Sequence, residues 1–202
     1  LVSTMILSYI LIDPSKSNLD SRFSYKPILA QLTDEKNVIW DRETKALDKN
    51  GKISLGSLIL KEGTANLVMQ SGVIISLKGP LKLDLLSFDS AKLYYGHLSF
   101  LDNSEGNSFN LITPHSTMID LGTAYTIHVT PEKEEVHVSE GEVWRMKNHS
   151  NEPSAIIVAN ESRRFGTEIP YYGENIKHEP FILSETTKLS NNFPHFSFVE
   201  DF

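Results

Sequence analysis

Residues 81–85, LKLDL, and residues 125–130, YTIHVT, decide the fold class. In the first, Leu81, Leu83 and Leu85 alternate with Lys82 and Asp84; in the second, Tyr125, Ile127 and Val129 alternate with Thr126, His128 and Thr130. A period of two sends successive side chains to opposite faces of a pleated strand, so each stretch reads as a half-buried strand. The same texture runs from about Ile53 to Phe165. It is broken at Gly56, Lys61-Glu62-Gly63, Ser71-Gly72, Gly79-Pro80, Gly96, Asn103 to Asn107, Thr113-Pro114, Gly122, Pro131 to Lys133 and Glu140-Gly141. Turn residues recurring roughly every 8–12 positions predict hairpins and meanders and leave no room for crossover helices. The expected fold is all-β, an antiparallel two-sheet sandwich or jelly-roll-like barrel over residues 52–169, free of any helix longer than about three turns.

The flanks differ in texture. Residues 1–12, LVSTMILSYILI, are apolar apart from Ser3, Thr4 and Ser8, and the chain turns polar at Asp13-Pro14. A helix of that length rises about 18 Å, short of the roughly 30 Å hydrocarbon core. The stretch is read as the C-terminal part of a longer membrane helix, a helical membrane-proximal segment; an amphipathic N-terminal helix and a first core strand are the alternatives. Residues 13–51 read as a stalk leading into the first strands. Residues 170–202 read as a linker through Pro170, Tyr171-Tyr172-Gly173 and Pro180, with FSFVEDF as the start of a following domain or as a frayed terminus.

Composition narrows the function classes. The 202 residues are 40% hydrophobic and 22% charged, ordinary for a globular chain and too polar for a multi-span membrane protein. The net charge is −7, and no segment concentrates Lys and Arg with interleaved aromatics, which argues against nucleic acid as a partner. Cysteine is absent, so disulfides, thiolate zinc sites and cysteine nucleophiles are excluded.

Three motifs invite a chemical reading. Ile119-Asp120-Leu121-Gly122-Thr123 has the form that opens the first phosphate loop of the actin and Hsp70 ATPases. Here it lies mid-chain among strands, so a tight turn with Asp120 and Thr123 bonding local backbone is the expected role. Val136-His137-Val138 followed by Glu140-Gly141-Glu142-Val143 has a cupin-like texture, yet His97, His115, His128 and His137 all lack the His-x-His spacing that would converge on one ion. His128 and His137 are expected to face each other across the turn at Pro131, a pair without a third ligand. No Gly-x-Ser-x-Gly elbow is present, and the carboxylates at Glu132, Glu134 and Glu135 read as a solvated turn. Asn148-His149-Ser150 and Asn160-Glu161-Ser162 are sequons too short to carry weight. No catalytic residue, cofactor or metal is expected.

The whole pattern then becomes informative. Leu55-Gly56, Leu58 to Leu60, Glu62-Gly63-Thr64-Ala65, Ser71-Gly72-Val73, Gly79-Pro80, Gly96-His97-Leu98, Phe109 to Pro114, Ile119 to Thr123 and Glu140-Gly141-Glu142-Val143 follow one another in an order that resembles the FecR-type domain. That family comprises extracytoplasmic sensors and regulators of anti-sigma factors in bacteria. The resemblance covers about residues 52–165. Its Gly-Pro form is similar to versions in planctomycete and verrucomicrobial envelope proteins, where a concanavalin-like, laminin-G-type domain often comes next. It implies that Gly63, Gly72, Gly79, Pro80, Gly96, Thr113, Pro114, Asp120, Gly122, Thr123 and Gly141 hold turns and close strand approaches, and it assigns none of them a catalytic role. The cytoplasmic anti-sigma segment is absent from the sequence.

The resemblance implies a non-catalytic domain tethered to the cytoplasmic membrane in the periplasm or cell envelope, passing a signal to a sigma-factor system through protein partners. Two other classes stay open. One is a carbohydrate- or small-ligand-binding sandwich with an aromatic groove drawn from Tyr94, Tyr95, Tyr171 and Tyr172; the other is a degenerate cupin-like enzyme.

Overall fold

A computed structural model describes residues 26–102, 108–147, 152–167 and 173–176. Among these residues the structure is all-β, and no helix occurs. The strands are β1 (Ile28–Trp40), β2 (Lys52–Ser54), β3 (Gly56–Met69), β4 (Ile74–Ser87), β5 (Ser90–Leu101), β6 (Phe109–Ile112) and β7 (Ser116–Asp120), then β8 (Ala124–Val129), β9 (Lys133–Glu140), β10 (Glu142–Lys147), β11 (Pro153–Val158), β12 (Ser162–Gly166) and β13 (Glu174–Asn175). The expected helical segment at residues 1–12 lies outside the described residues, and of the expected linker at 170–202 only residues 173–176 are described, with β13 paired to β12.

The expected hairpin turns at Gly63, Gly79-Pro80 and Gly96 are bends inside β3, β4 and β5 instead. The pairing register shifts there, between Leu60 and Thr64 on β3 and between Lys78 and Lys82 on β4. Gly63 and Gly96 have φ of +85° and +113°, and the Gly79-Pro80 peptide is cis. The three glycines lie side by side: a Cβ on Gly79 would press on the backbone of Lys61 and Glu62, and one on Gly96 would stand 2.7 Å from Leu81 Cβ and Pro80 O. Together they form a crease across three strands.

The crease gives β5 two sets of neighbours. Before it, the Ser90–Lys92 part of β5 joins β6, and the sheet continues through β7 and β10 to β11 at the edge. Beyond it, Gly96–Leu101 pairs with β8, which leads through β9 and β12 to β13. β1 runs along β3, with β2 on its other side. The two arms face each other across one core that holds Leu58, Leu83, Leu111, Met118, Val143 and Ile157 together with Leu67, Leu77, Leu98, Ile127, Val136 and Phe165. Phe100 of one arm meets Phe109 of the other with ring centroids 5.0 Å apart.

The sheet is mixed, not wholly antiparallel as expected, because β5 and β6 run parallel. A parallel pair ordinarily needs a long crossover. Here the bend at Gly96 folds β5 so that its two ends approach, and Asn110 N donates to Asp89 O beside Ser90.

Candidate functional site

β10 carries the sequence EVWRMK, and its phase is inverted relative to polarity: Val143 and Arg145 point inward, Trp144 and Met146 outward. Arg145 can be buried because its partners are waiting. Its Nε donates to Glu134 Oε1 at 2.7 Å, its Nη1 donates to Ser154 Oγ at 2.8 Å, and the guanidinium lies 4.2 Å over the Phe165 ring. Glu134, fully buried, also accepts from Ser116 Oγ and Thr113 Oγ1, each at 2.7 Å. The solvated turn expected around Glu134 is therefore corrected: this carboxylate is the interior anchor between the arms. Thr113 closes the β6–β7 turn, accepting from the amides of His115 and Ser116.

The outward consequence of that inverted phase is an apolar solvent face. Ile156, Trp144 and Ile119 lie in one cross-strand row, with Val158 and Met146 beside it and Ile112 on β6. Ile156 and Val158 are 42% and 43% exposed, and Leu121, in the turn after β7, is 44% exposed. β11 is also an edge. Ala159 N donates to Gly141 O, so by antiparallel alternation the amide of Ile157 turns toward β10 while that of Ile156 turns outward. The edge is bounded by Pro153, which has no amide hydrogen, and by Glu161 Oε2, which accepts from Val158 N at 3.2 Å.

The residues of the Asp-Leu-Gly-Thr stretch come together at the end of β7. Thr123 Oγ1 donates to Asp120, whose carboxyl is buried and pushed up to about 6, by burial first and also by the negative charge of Asp102, against the opposing bond from Thr123. Gly122 and Gly141 both adopt positive φ at adjoining turns. The backbone amides of Gly122 and Thr123 also donate to Asp120, so it is held within a packed turn.

His128 does not face His137. Its cross-strand neighbours are Glu135 and His97, and the His97 and His128 rings stack at 3.6 Å with planes 7° apart. They sit in a row with Lys78, Glu135, Arg164 and Glu174 on the outer face of the second arm. Burial and the neighbouring His128 lower His97 to about 4, and burial lowers His128 as well. Parallel stacked rings aim their lone pairs side by side and cannot converge on an ion. His137 is held by Ser162 at 2.8 Å, and His115 by Thr130 O at 2.8 Å. Among the described residues no three His, Asp or Glu side chains are grouped to hold a metal.

Tyr94 and Tyr95 do not form a groove. Tyr94 donates to Asp84 Oδ2 at 2.9 Å and lies between Lys82 and Lys92, while Tyr95 is exposed across the bend. Tyr171 and Tyr172 lie outside the described residues. The sequence held one signal for the outer face that polarity patterning missed: Trp144 and Ile156 fall on cross-strand partners, which only the register reveals.

No protein-family description matches this chain, and no curated protein does. Solved structures that resemble it include the following two. Both are crystal structures of a protein described as a "putative anti-sigma factor" from Parabacteroides distasonis ATCC 8503, at 1.65 Å and 2.50 Å resolution, with 18% identity and TM-scores of 0.48 and 0.49. Each match covers 61% of this chain and 59% of the other, so the likeness spans about three-fifths of the neighbour's length.

Proposed function

We propose that this chain is a non-catalytic signalling domain that works by protein contact, through the outer face of β7, β10 and β11 and the free edge of β11. The observation that carries this is Ile156 and Val158, more than two-fifths exposed, beside outward Trp144 and Ile119 on an edge strand. A contiguous apolar patch on the solvent side of a sheet marks an interaction site more often than it is tolerated without one. The outward amide of Ile156 adds directional bonding for an incoming strand. The guards at Pro153 and Glu161 limit that window to one short register.

The order of motifs that resembles the FecR-type domain supports a place in the bacterial envelope, with residues 1–12 as the membrane tether and a sigma-factor system as the destination of the signal. On this reading residues 52–169 are the contact domain, 13–51 its stalk and first strands, and 170–202 a linker to a further domain. The test is a transcriptional reporter for the sigma factor encoded beside this chain. Ile156→Asp should abolish the signal-dependent change while the purified variant melts within about 2 °C of the parent, as expected for a surface substitution. A reporter indifferent to Ile156→Asp and to loss of the whole chain would overturn the proposal, as would the absence of any sigma-factor gene from the neighbourhood.

A further inference from the structure

The bend in β4 brings both of its ends to the mouth of the sandwich, away from the crease. There the β3–β4 turn, the β4–β5 turn, Asp102 and Ser108 line a cavity of about 540 Å³. The volume falls in the range of small-molecule sites. Its walls combine three kinds of group. Val73 and Phe109 are buried and apolar, and Phe88 stands 45% exposed at the tip of the β4–β5 turn. Asp89 and Asp102 supply carboxylates, the latter only 5% exposed. Gln70, Ser71 and Ser108 supply an amide and two hydroxyls, and the buried Ser71 Oγ has no hydrogen-bond partner.

That mixture discriminates between ligand classes. Two carboxylates repel a phosphate, a carboxylate or an acidic sugar. An amine would suit the carboxylates, the Gln70 carbonyl and the serine oxygens, yet it offers donors alone and leaves the Gln70 NH2 and the serine O–H groups without acceptors. A polyhydroxylated ring presents donors and acceptors in turn around its edge and an apolar C–H face, which matches carboxylate, amide and hydroxyl on the walls and a phenyl ring at the rim.

We propose that this cavity binds a neutral carbohydrate, a monosaccharide or disaccharide unit, with Phe88 against the face of the sugar ring and Asp89, Asp102 and Gln70 bonding its hydroxyls. The site is separate from the β11 edge and stands or falls independently of the docking surface. Neither Tyr94 nor Tyr95 lines it; Phe88 takes the aromatic role from a turn between two long strands.

The experiment is titration calorimetry of the purified chain with glucose, galactose, mannose, N-acetylglucosamine, cellobiose and chitobiose, with glucuronate and putrescine as comparators. At least one neutral sugar should bind saturably with a millimolar or tighter Kd. Phe88→Ala and Gln70→Ala, at exposed and half-buried turn positions, should each weaken it by about fivefold or more while the melting temperature holds. Ile156→Asp should leave it unchanged. Absence of saturable binding by every neutral sugar would overturn the proposal. So would a sugar isotherm untouched by both cavity variants, or binding of putrescine or glucuronate in preference to all six sugars.

Discussion

Arg145 is the residue on which the two arms depend most directly. Its charge and that of Glu134 are both withdrawn from water, with side-chain exposures of 9% and 0%. Such a pair contributes little over an apolar replacement of both members, but removing one member strands the other in a medium that cannot solvate it. Arg145→Met should therefore cost about 3–5 kcal/mol in urea denaturation, because Glu134 keeps only the Thr113 and Ser116 hydroxyls. Glu134→Gln combined with Arg145→Met retains an acceptor for one of those hydroxyls and removes the charge, so the double variant should be more stable than Arg145→Met alone. Equal stability of the two would show that the lost guanidinium packing on Phe165, and not the stranded charge, is what the single substitution removes.

At the scale of elements, the crease shows where the sequence could be read and where it could not. Alternation marked the strands because burying one face of a pleat enforces it, and LKLDL and YTIHVT are indeed inner-face apolar residues alternating with outer-face polar ones. Glycine and proline, however, interrupt alternation in the same way whether the chain reverses or bends, so Gly63, Gly79-Pro80 and Gly96 carried no sign that β3, β4 and β5 run on through them. The parallel β5–β6 pair results from that bend and was equally hidden. Glu134 on β9 and Arg145 on β10 are consecutive in the chain but lie in opposite arms, where they meet Phe165 of β12, and no local pattern announces the meeting. The crease makes its own prediction. Gly96→Ala forces a Cβ into Leu81 and Pro80 at φ of +113°, whereas Gly72, at φ of +92°, has nothing within 4 Å of a new Cβ. Gly72→Ala should cost about 1–2 kcal/mol of backbone strain, and Gly96→Ala clearly more, as measured by the midpoint of chemical denaturation. A Gly96→Ala chain no less stable than Gly72→Ala would mean that the strands can separate at the crease without loss.

For the molecule as a whole, acid response is set by groups at different places that pull in opposite directions. Asp120 titrates near 6 in the folded chain against 3.8 unfolded, so the native state holds the extra proton between those values. Its contribution to stability is complete below about pH 4 and is lost as the pH rises through 6. His97 is lowered from 6.5 to about 4, so here the unfolded state holds the extra proton, and stability present above pH 6.5 is lost as the pH falls toward 4. His128 is lowered too and adds to the second effect. Around the stacked rings Glu135 favours their protonation, while Lys78 opposes it at His97 and Lys133 at His128. Over one window the buried carboxyl and the stacked imidazoles therefore oppose each other. Substituting either should expose the other. Relative to the parent, Asp120→Asn should make the melting temperature fall more steeply from pH 6.5 to pH 4.5, and His97→Gln should make it fall less steeply or rise. Thermal melts of the three chains across that range decide the matter: if both variants change slope in the same direction, the outer-face histidines and the turn carboxyl do not titrate as opposing groups.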